Sequence, residues 1–238
     1  MGQRHQIYVK IPKVYYNKNN PNNRPSKVIG IHHQWLFGAT AMRMLERLFK
    51  FISNTTIKYC ELFDSSAERA AQILATLYSV DHDKGYYHGN CVLEDGETDN
   101  PCLGDNNNGI TIIDYSKLTR DFTGDVKDAI KYCFMSIDHL ECLGKSLITD
   151  KYIAEDGEFE VESFVPISAE EWARLHYPDY HKLVNQSKER KQLRKDLNVK
   201  SDSIEFAEYI NGLVKELSQY KLLTLAEVKK IFPKMYKK

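Results

Sequence analysis

Hydrophobic residues recur along this chain with two periods, and each period predicts one kind of element. Short runs of β-branched and aromatic residues predict strands, at residues 6–14, 28–35, 57–63 and 110–113. Steps of three and four residues predict amphipathic helices, with stripes that start at Ala41, Ala67, Val126 and Ala207. The combination predicts an α+β fold, in which helices pack on a largely antiparallel sheet.

Turn and capping residues predict where several of these elements begin. Gly38 allows a turn from the second strand into the first helix, which Thr40 is placed to cap and which we expect to run for about three turns. Asp156-Gly157 predicts a two-residue turn between two short strands. Two segments have the spacing of a capping box: Ser168 to Glu171 and Thr224 to Glu227.

The most regular helical stripe follows Asp125, and it predicts a helix of about three turns. Its members are Val126, Ala129, Ile130, Cys133, Phe134 and Ile137. The best candidate boundary lies later, at residues 166–168. We therefore predict an α+β domain over residues 1–167 and a helical C-terminal extension, residues 168–238, packed on it.

Composition and charge narrow the classes of function. The 238 residues carry 33 basic and 33 acidic side chains, so no global field favours nucleic acid or an anionic membrane. No apolar run approaches the roughly 18 residues of a membrane span. The five cysteines have uneven spacing without a C-x-x-C pair, which favours reduced thiols and an intracellular protein.

The most biased stretch of the chain is the loop from Gly104 to Gly109. Asp105, Asn106, Asn107 and Asn108 bond readily to their own backbone, so the sequence predicts a tight polar loop that leads into the strand at 110–113. The loop lacks the glycine position and the final Glu of a calcium loop. Two interpretations remain: a turn whose side chains hydrogen-bond its own backbone, or a loop that hydrogen-bonds a ligand.

A second polar cluster, His32, His33, Gln34 and Trp35, ends the second predicted strand. Alternation places one histidine inward and the other outward. The structural alternative is a buried histidine beside an exposed one. The functional alternative is a pocket in which a histidine, Gln34 and Trp35 meet Asp105 and Asp114, as a general-base and hydrogen-bonding set.

Metal and cofactor chemistry are not favoured by the sequence. His88-x-x-Cys91 with Cys102, and His139-x-x-Cys142, have ligand-like spacing, but neither completes a zinc or deaminase signature. A structural zinc or a divalent cation stays open as an alternative, and we expect no cofactor. No G-x-S-x-G, Walker A or H-E-x-x-H motif predicts an enzyme.

A basic segment in the C-terminal third is the candidate for nucleic-acid contact. It contains Lys188, Arg190, Lys191, Arg194 and Lys195. A charge run of this kind is usually the solvated face of a helix, so nucleic-acid binding is an alternative rather than the main hypothesis.

Three segments together resemble uncharacterised proteins of large tailed bacteriophages: residues 1–6, residues 31–38 (IHHQWLFG) and the loop at 104–109. The resemblance covers the first half of the chain and brings no established activity. It implies the cytoplasm of an infected bacterium, or the virion, as the setting.

Taken together, the sequence favours a non-enzymatic binding protein. Its partner would be a host protein, a virion protein or a small ligand, without a membrane. The alternatives are a metal-assisted hydrolase that uses His32 or His33 with Asp105 and Asp114, and nucleic-acid binding through residues 188–195.

Overall fold

The computed structural model describes residues 5–10, 28–33, 36, 38–54, 91–92, 109–118, 122–135, 152–153, 160–161, 165–190 and 201–233. These residues form eight strands: β1 (His5–Lys10), β2 (Val28–His33), β3 (Cys91–Val92), β4 (Ile110–Asp114), β5 (Lys131–Met135), β6 (Tyr152–Ile153), β7 (Glu160–Val161) and β8 (Lys221–Leu222). They also form six helices: α1 (Gly38–Asn54), α2 (Val126–Ala129), α3 (Ala169–His176), α4 (Tyr180–Arg190), α5 (Ser201–Leu217) and α6 (Leu225–Ile231). The α+β class is confirmed.

Six of the strands form one mixed sheet in the order β3-β2-β1-β4-β5-β8. Antiparallel pairs join β1 to β2, β2 to β3 and β4 to β5, whereas β1 pairs in parallel with β4 and β5 with β8. Antiparallel pairing therefore predominates by three pairs to two. The central strands β1 and β4 have buried side chains on both faces, which is the pattern of strands covered from both sides.

Each face of the sheet carries its own hydrophobic cluster. On the first face, helices α1, α3 and α5 cover the side chains of Ile7, Val9, Ile31, Ile113, Tyr132 and Phe134. On the second face, Leu223, Val228 and Phe232 cover Tyr8, Ile110, Ile112, Cys133 and Met135. Successive residues of β1 and β4 thus alternate between two buried layers.

The strands predicted at residues 6–14 and 28–35 are confirmed over the part of each that the structure describes, and they pair as a hairpin. β1 pairs with β2 from His5 opposite His33 to Lys10 opposite Val28. The second predicted hairpin also has its strands, because Tyr152 lies opposite Val161 and Ile153 opposite Glu160. That register is the one a two-residue connection at Asp156-Gly157 requires, and the connection itself lies outside the described residues.

The helix predicted from Val126 to Ile137 is wrong. The α-helix ends at Ala129, and residues from Lys131 to Met135 form strand β5 between β4 and β8. All four residues from Tyr132 to Met135 are buried, because β5 is covered on both faces. A continuous apolar run of this kind satisfies the helical period as well as the strand pattern, so periodicity alone could not separate them.

Helix α1 also differs from its prediction at both ends. It begins at Gly38, so Thr40 lies within the first turn instead of capping it, and its 17 residues make almost five turns. Gly38 does have the positive φ (+48°) that the predicted turn needs. The buried stripe of α1 continues the predicted pattern through Ala41, Leu45 and Leu48.

The C-terminal helices agree with their sequence signals. Both capping boxes are present, with Ser168 and Thr224 as the N-caps of α3 and α6. The predicted stripe of α5 is buried at Ala207, Ile210, Val214 and Leu217.

The two predicted parts of the chain share one core. Strand β8 extends the main sheet, Ile167 pairs with Phe134, and Trp172 lies in the same cluster as Ile7. The boundary at residues 167/168 stays a prediction. The strand predicted at 57–63 and the helix predicted from Ser65 fall outside the described residues.

Candidate functional site

A buried pair of histidines marks one end of the central sheet. His5 and His33 are register partners on β1 and β2, and their exposed fractions are 0% and 1%. The Nε2 atom of His5 lies 2.7 Å from the hydroxyl oxygen of Thr111, near the start of β4. Three neighbouring strands therefore each contribute one buried polar side chain to the same face. We call His5, His33 and Thr111 the histidine cluster.

Trp172 of α3 covers this cluster. Its ring meets the His5 ring edge to face, at 5.6 Å between centroids, and stacks on Phe134 at 4.9 Å. The ring of His176, one turn further along α3, lies 4.3 Å from Trp172. The indole N–H donates to the carbonyl oxygen of Gly38 over 3.0 Å. Trp172 therefore fixes the histidine cluster and the start of α1 relative to each other.

Gly109 is the residue through which the Asn-rich loop enters this site. Its φ is +108°, a region that side chains other than glycine rarely adopt. A Cβ atom there would lie 2.6 Å from the carbonyl oxygen of Met135 and 2.8 Å from the Trp172 ring. Its own carbonyl oxygen accepts from the Gln6 N–H at 3.3 Å. Only glycine fits both the conformation and the space.

Helix α1 is held at its first turn by Tyr177, which follows α3. The N–H of Ala39 donates to the Tyr177 hydroxyl oxygen over 2.8 Å. Burial raises the pKa of that hydroxyl, and the Ala39 N–H offsets part of the rise. A Cβ atom on Gly38 would lie 2.4 Å from the same oxygen. The absence of a side chain at Gly38 is therefore what lets Tyr177 reach the helix.

The structure separates two of the predicted site residues from His33. His32 is half-buried and, by alternation, belongs to the opposite face of the sheet. Asp114 lies at the far end of β4, three residues or about 10 Å beyond Thr111. There its carboxylate accepts from Lys10 at 3.1 Å and from the Ser116 N–H at 2.8 Å. The predicted set of a histidine with Asp114 is not brought together.

The remaining predicted site residues lie outside the described residues: Gln34, Trp35, Asp105, Asn106, Asn107 and Asn108. Chain connectivity still fixes where their segments join the fold. Gln34 follows His33 directly, and Asn108 directly precedes Gly109. Because Gly109 meets Gln6, next to His5, both segments attach at the histidine end of the sheet.

The candidate nucleic-acid segment is described only in part. Lys188 and Arg190 belong to the last turn of α4. Lys191, Arg194 and Lys195 lie outside the described residues. Nucleic-acid contact by this segment stays a prediction.

Within the described residues, no three side chains of the His, Cys, Asp or Glu type are grouped to hold a metal ion. The predicted zinc ligands His88, Cys102, His139 and Cys142 are not among these residues, and no side chain is given for Cys91. In the same part of the chain, no helix combines the length and the apolarity that crossing a membrane requires.

Sequence reasoning did not select three residues of this site: His5, Thr111 and Trp172. One usable signal was present, because alternation from Ile7 and Val9 places His5 on their buried face. Thr111 and Trp172 carry no comparable signal, since they reach His5 from 106 and 167 positions away along the sequence. Only the fold makes them neighbours.

Comparisons of this chain with protein-family models, with curated proteins and with solved structures found no match.

Proposed function

We propose that this chain is a non-enzymatic binding protein that holds a polar ligand, or a polar group of a partner, at the histidine end of its sheet. The setting implied by the bacteriophage resemblance, the cytoplasm of an infected bacterium or the virion, belongs to the same proposal. No membrane is part of it.

One observation carries this proposal, namely the register of the three central strands. His33 lies opposite His5, and Gln6 lies beside Ile110 in the parallel pair. The end of β2 and the start of β4 therefore flank the beginning of β1. The chain continues from these two strand ends into two of the polar segments that the sequence singles out.

The chemistry of the segments suits recognition. Histidine, glutamine and asparagine side chains donate and accept hydrogen bonds without carrying a full charge at neutral pH, and tryptophan offers a flat apolar surface. His5 and His33 are themselves buried, and the Trp172 ring contacts the ring of His5. In this proposal they hold the strands in place, while the residues at 34–35 and 105–108 contact the ligand.

The geometry argues against the hydrolase alternative. General-base catalysis needs the reacting groups within hydrogen-bond reach of one substrate. Asp114 instead pairs with Lys10 at the other end of β4, four residues beyond Ile110, which lies level with His32, and His33 belongs to the other face of the sheet. The carboxylate and the histidines therefore do not form one catalytic set.

Calorimetric titration with nucleosides, nucleotides and monosaccharides tests the binding function. We expect at least one class to bind, and the double variant Asp105→Ala/Asn107→Ala to weaken that binding at least tenfold. The exposed substitution Lys182→Ala on α4 is the matched control and should leave affinity unchanged. If all three classes fail to bind, or if the loop variant binds as well as the control, the proposed site is wrong.

A turnover assay tests the non-enzymatic part separately. The protein is incubated with nucleoside triphosphates, RNA and DNA in the presence of Mg²⁺, and the products are separated by ion exchange. We expect no turnover above that of buffer. Turnover that disappears in Asp105→Ala would replace the binding function by an enzymatic one.

A further inference from the structure

A groove between α1 and α5 forms a second surface of the molecule, apart from the histidine cluster. The two helices run parallel, since Tyr177 contacts Ala39 in the first turn of α1 and Phe206 in the second turn of α5, whereas Tyr220, just beyond the end of α5, contacts Phe49 in the last third of α1. The groove has a volume of about 300 Å³. Leu213 forms its buried floor.

Gly212 lines one side of this groove without a side chain. It is exposed in the interior of α5 and does not have a positive φ. A Cβ atom added there would meet no atom within 4 Å, so nothing in the fold requires glycine. Glycine in a helix interior is unfavourable relative to alanine. Its effect here is to leave the α5 backbone open to close approach from the groove.

The charges of the groove are divided along its length. Arg43 and Arg47 lie one turn apart on α1, towards the end where α5 contributes Tyr209. A guanidinium group has five N–H donors, so one that contacts its own chain still has donors for a ligand.

The other end of the groove has more acidic than basic side chains. Lys50 forms an ion pair with Glu46, and Glu216 faces the same ammonium group from α5. The hydrogen bond to Glu46 raises the pKa of Lys50, and the charge of Glu216 adds to the rise. One positive and two negative charges meet there, so this end favours a cation whereas the arginine end favours an anion.

We propose that this groove binds an α-helical segment of a partner polypeptide. The segment carries an acidic residue against Arg43 and Arg47, a small residue against Gly212 and a basic residue against Glu216. Arg43 and Lys50 are seven residues apart, about 10 Å along a helix, so two turns of the partner span the groove. Charges at positions i and i+7 of one helix face match its two ends.

A polypeptide helix fits these features better than a small molecule does. The charged side chains of α1 extend over about two helical turns, from Arg43 to Lys50, and the groove is open along its side. Close approach at a glycine is the usual way in which two helices pack tightly. This inference does not depend on the proposed function at the histidine end, because the two sites use different elements.

The test uses the ¹⁵N-labelled full chain and two synthetic helical peptides of 15 residues. The first peptide has Glu and, seven residues later, Lys on one face, with Ala between them; the second has Lys at both places. We expect the Glu/Lys peptide to shift the resonances of α1 and α5 and to bind at least tenfold more tightly than the Lys/Lys peptide.

Two variants separate the contacts. Gly212→Leu places a side chain in the groove, from a Cβ position that has no atom within 4 Å in the free protein, and should weaken binding of the Glu/Lys peptide at least tenfold. The double variant Arg43→Glu/Arg47→Glu should weaken binding by the same factor. The control is Lys182→Glu/Lys230→Glu, which changes the net charge equally at exposed positions of α4 and α6 and should leave binding unchanged.

The proposal is overturned if the Lys/Lys peptide binds equally well, or if Gly212→Leu binds the Glu/Lys peptide like the unsubstituted chain. It is also overturned if AMP shifts these resonances while neither peptide does, which would make the groove a small-anion site. Self-association of the chain through the same residues would assign the groove to a second copy instead.

Discussion

Two glycines of this protein have opposite roles, and the difference follows from what surrounds them. Gly109 has a φ of +108° and no room for a Cβ atom, whereas Gly212 has an ordinary helical backbone and open space. The first glycine is demanded by the fold. The second weakens a helix and leaves a groove open.

Gly109→Ala should therefore destabilise the protein, by about 2 kcal/mol or more, because it combines an unfavourable φ with contacts to Met135 and Trp172. Gly212→Ala should stabilise it by up to about 1 kcal/mol, through the higher helix propensity of alanine. Urea unfolding followed by circular dichroism measures both. Equal effects of the two substitutions would contradict the roles assigned here.

Tyr177 offers a second test at the scale of single residues. Tyr177→Phe removes the hydroxyl that accepts the Ala39 N–H and keeps the ring packed against Phe206. We expect a loss of about 1 kcal/mol, the usual net value of one hydrogen bond. Tyr220→Phe, which removes a hydroxyl that lies 3.3 Å from the exposed Ser53 hydroxyl, is a suitable comparison and should cost less. A thermal melt of each variant gives the answer.

Prediction from sequence succeeded for residues whose neighbours are close in the chain and failed for the others. Alternation within the strand predicted that one of His32 and His33 points inward, and the structure shows that His33 is the buried one. The pairing of His33 with His5 depends on the register of two strands. The contact of His5 with Trp172 joins residues that are more than 100 positions apart in the sequence. No local sequence pattern predicts such contacts, so the sequence predicts His33 as a site residue but not His5, Thr111 or Trp172.

At the scale of elements, the signals that worked were caps and turns. The capping boxes of α3 and α6 and the glycine before α1 are short-range patterns with a direct hydrogen-bonding or steric cause. The helical stripe from Val126 failed because β5 lies in the middle of a covered sheet. There the apolar run reflects burial on two faces and carries little information about period.

The cap of α6 also ties this helix to the main sheet. Glu227 accepts hydrogen bonds from Thr224 at 3.0 Å and from the Lys131 ammonium of β5 at 2.5 Å. Burial acts to raise the pKa of Glu227, but these hydrogen bonds outweigh it and lower the pKa to about 2. A carboxyl whose pKa is lower in the folded state stabilises the fold above its unfolded pKa, near 4.5, and loses that contribution as pH falls towards 2.

Glu227→Gln should thus cost on the order of 1 kcal/mol at pH 7, and the difference from the unsubstituted chain should shrink below pH 4.5. Lys131→Met should show the same trend, since it removes the ammonium from the same interaction. Urea unfolding at pH 7 and at pH 3 provides the measurement. A difference that grows on acidification has the wrong sign for this account.

At the scale of the whole molecule, one core includes both predicted parts of the chain. Trp172, Leu213 and Leu217 lie in the cluster of Ile7 and Phe134, and Leu223 and Phe232 cover the second face of the sheet. The C-terminal part is needed to bury both faces of β1 and β4. Its packing is therefore a structural requirement for the sheet.

A fragment of residues 1–167 should accordingly not fold cooperatively alone. It keeps α1 but lacks α3 and α5 on the first face and Leu223, Val228 and Phe232 on the second, so large apolar side chains would be exposed. We expect broad, non-cooperative thermal melting and binding of a hydrophobic dye, in contrast to a single sharp transition for the full chain. A sharp transition for the fragment would show that the first part is an independent domain.

The central position of β1 has a further consequence, for the order of events during synthesis. β1 emerges from the ribosome well before its parallel partner β4, which begins 104 residues after Gln6, and β8 and α6 follow roughly another hundred residues later. At about 5–20 residues per second, β1 waits several seconds or more for its second neighbour. Pairing at such separation is also slow in the finished chain. We therefore expect refolding on a scale of milliseconds to seconds or longer, with exposed β1 as the point where chaperones or aggregation compete with folding.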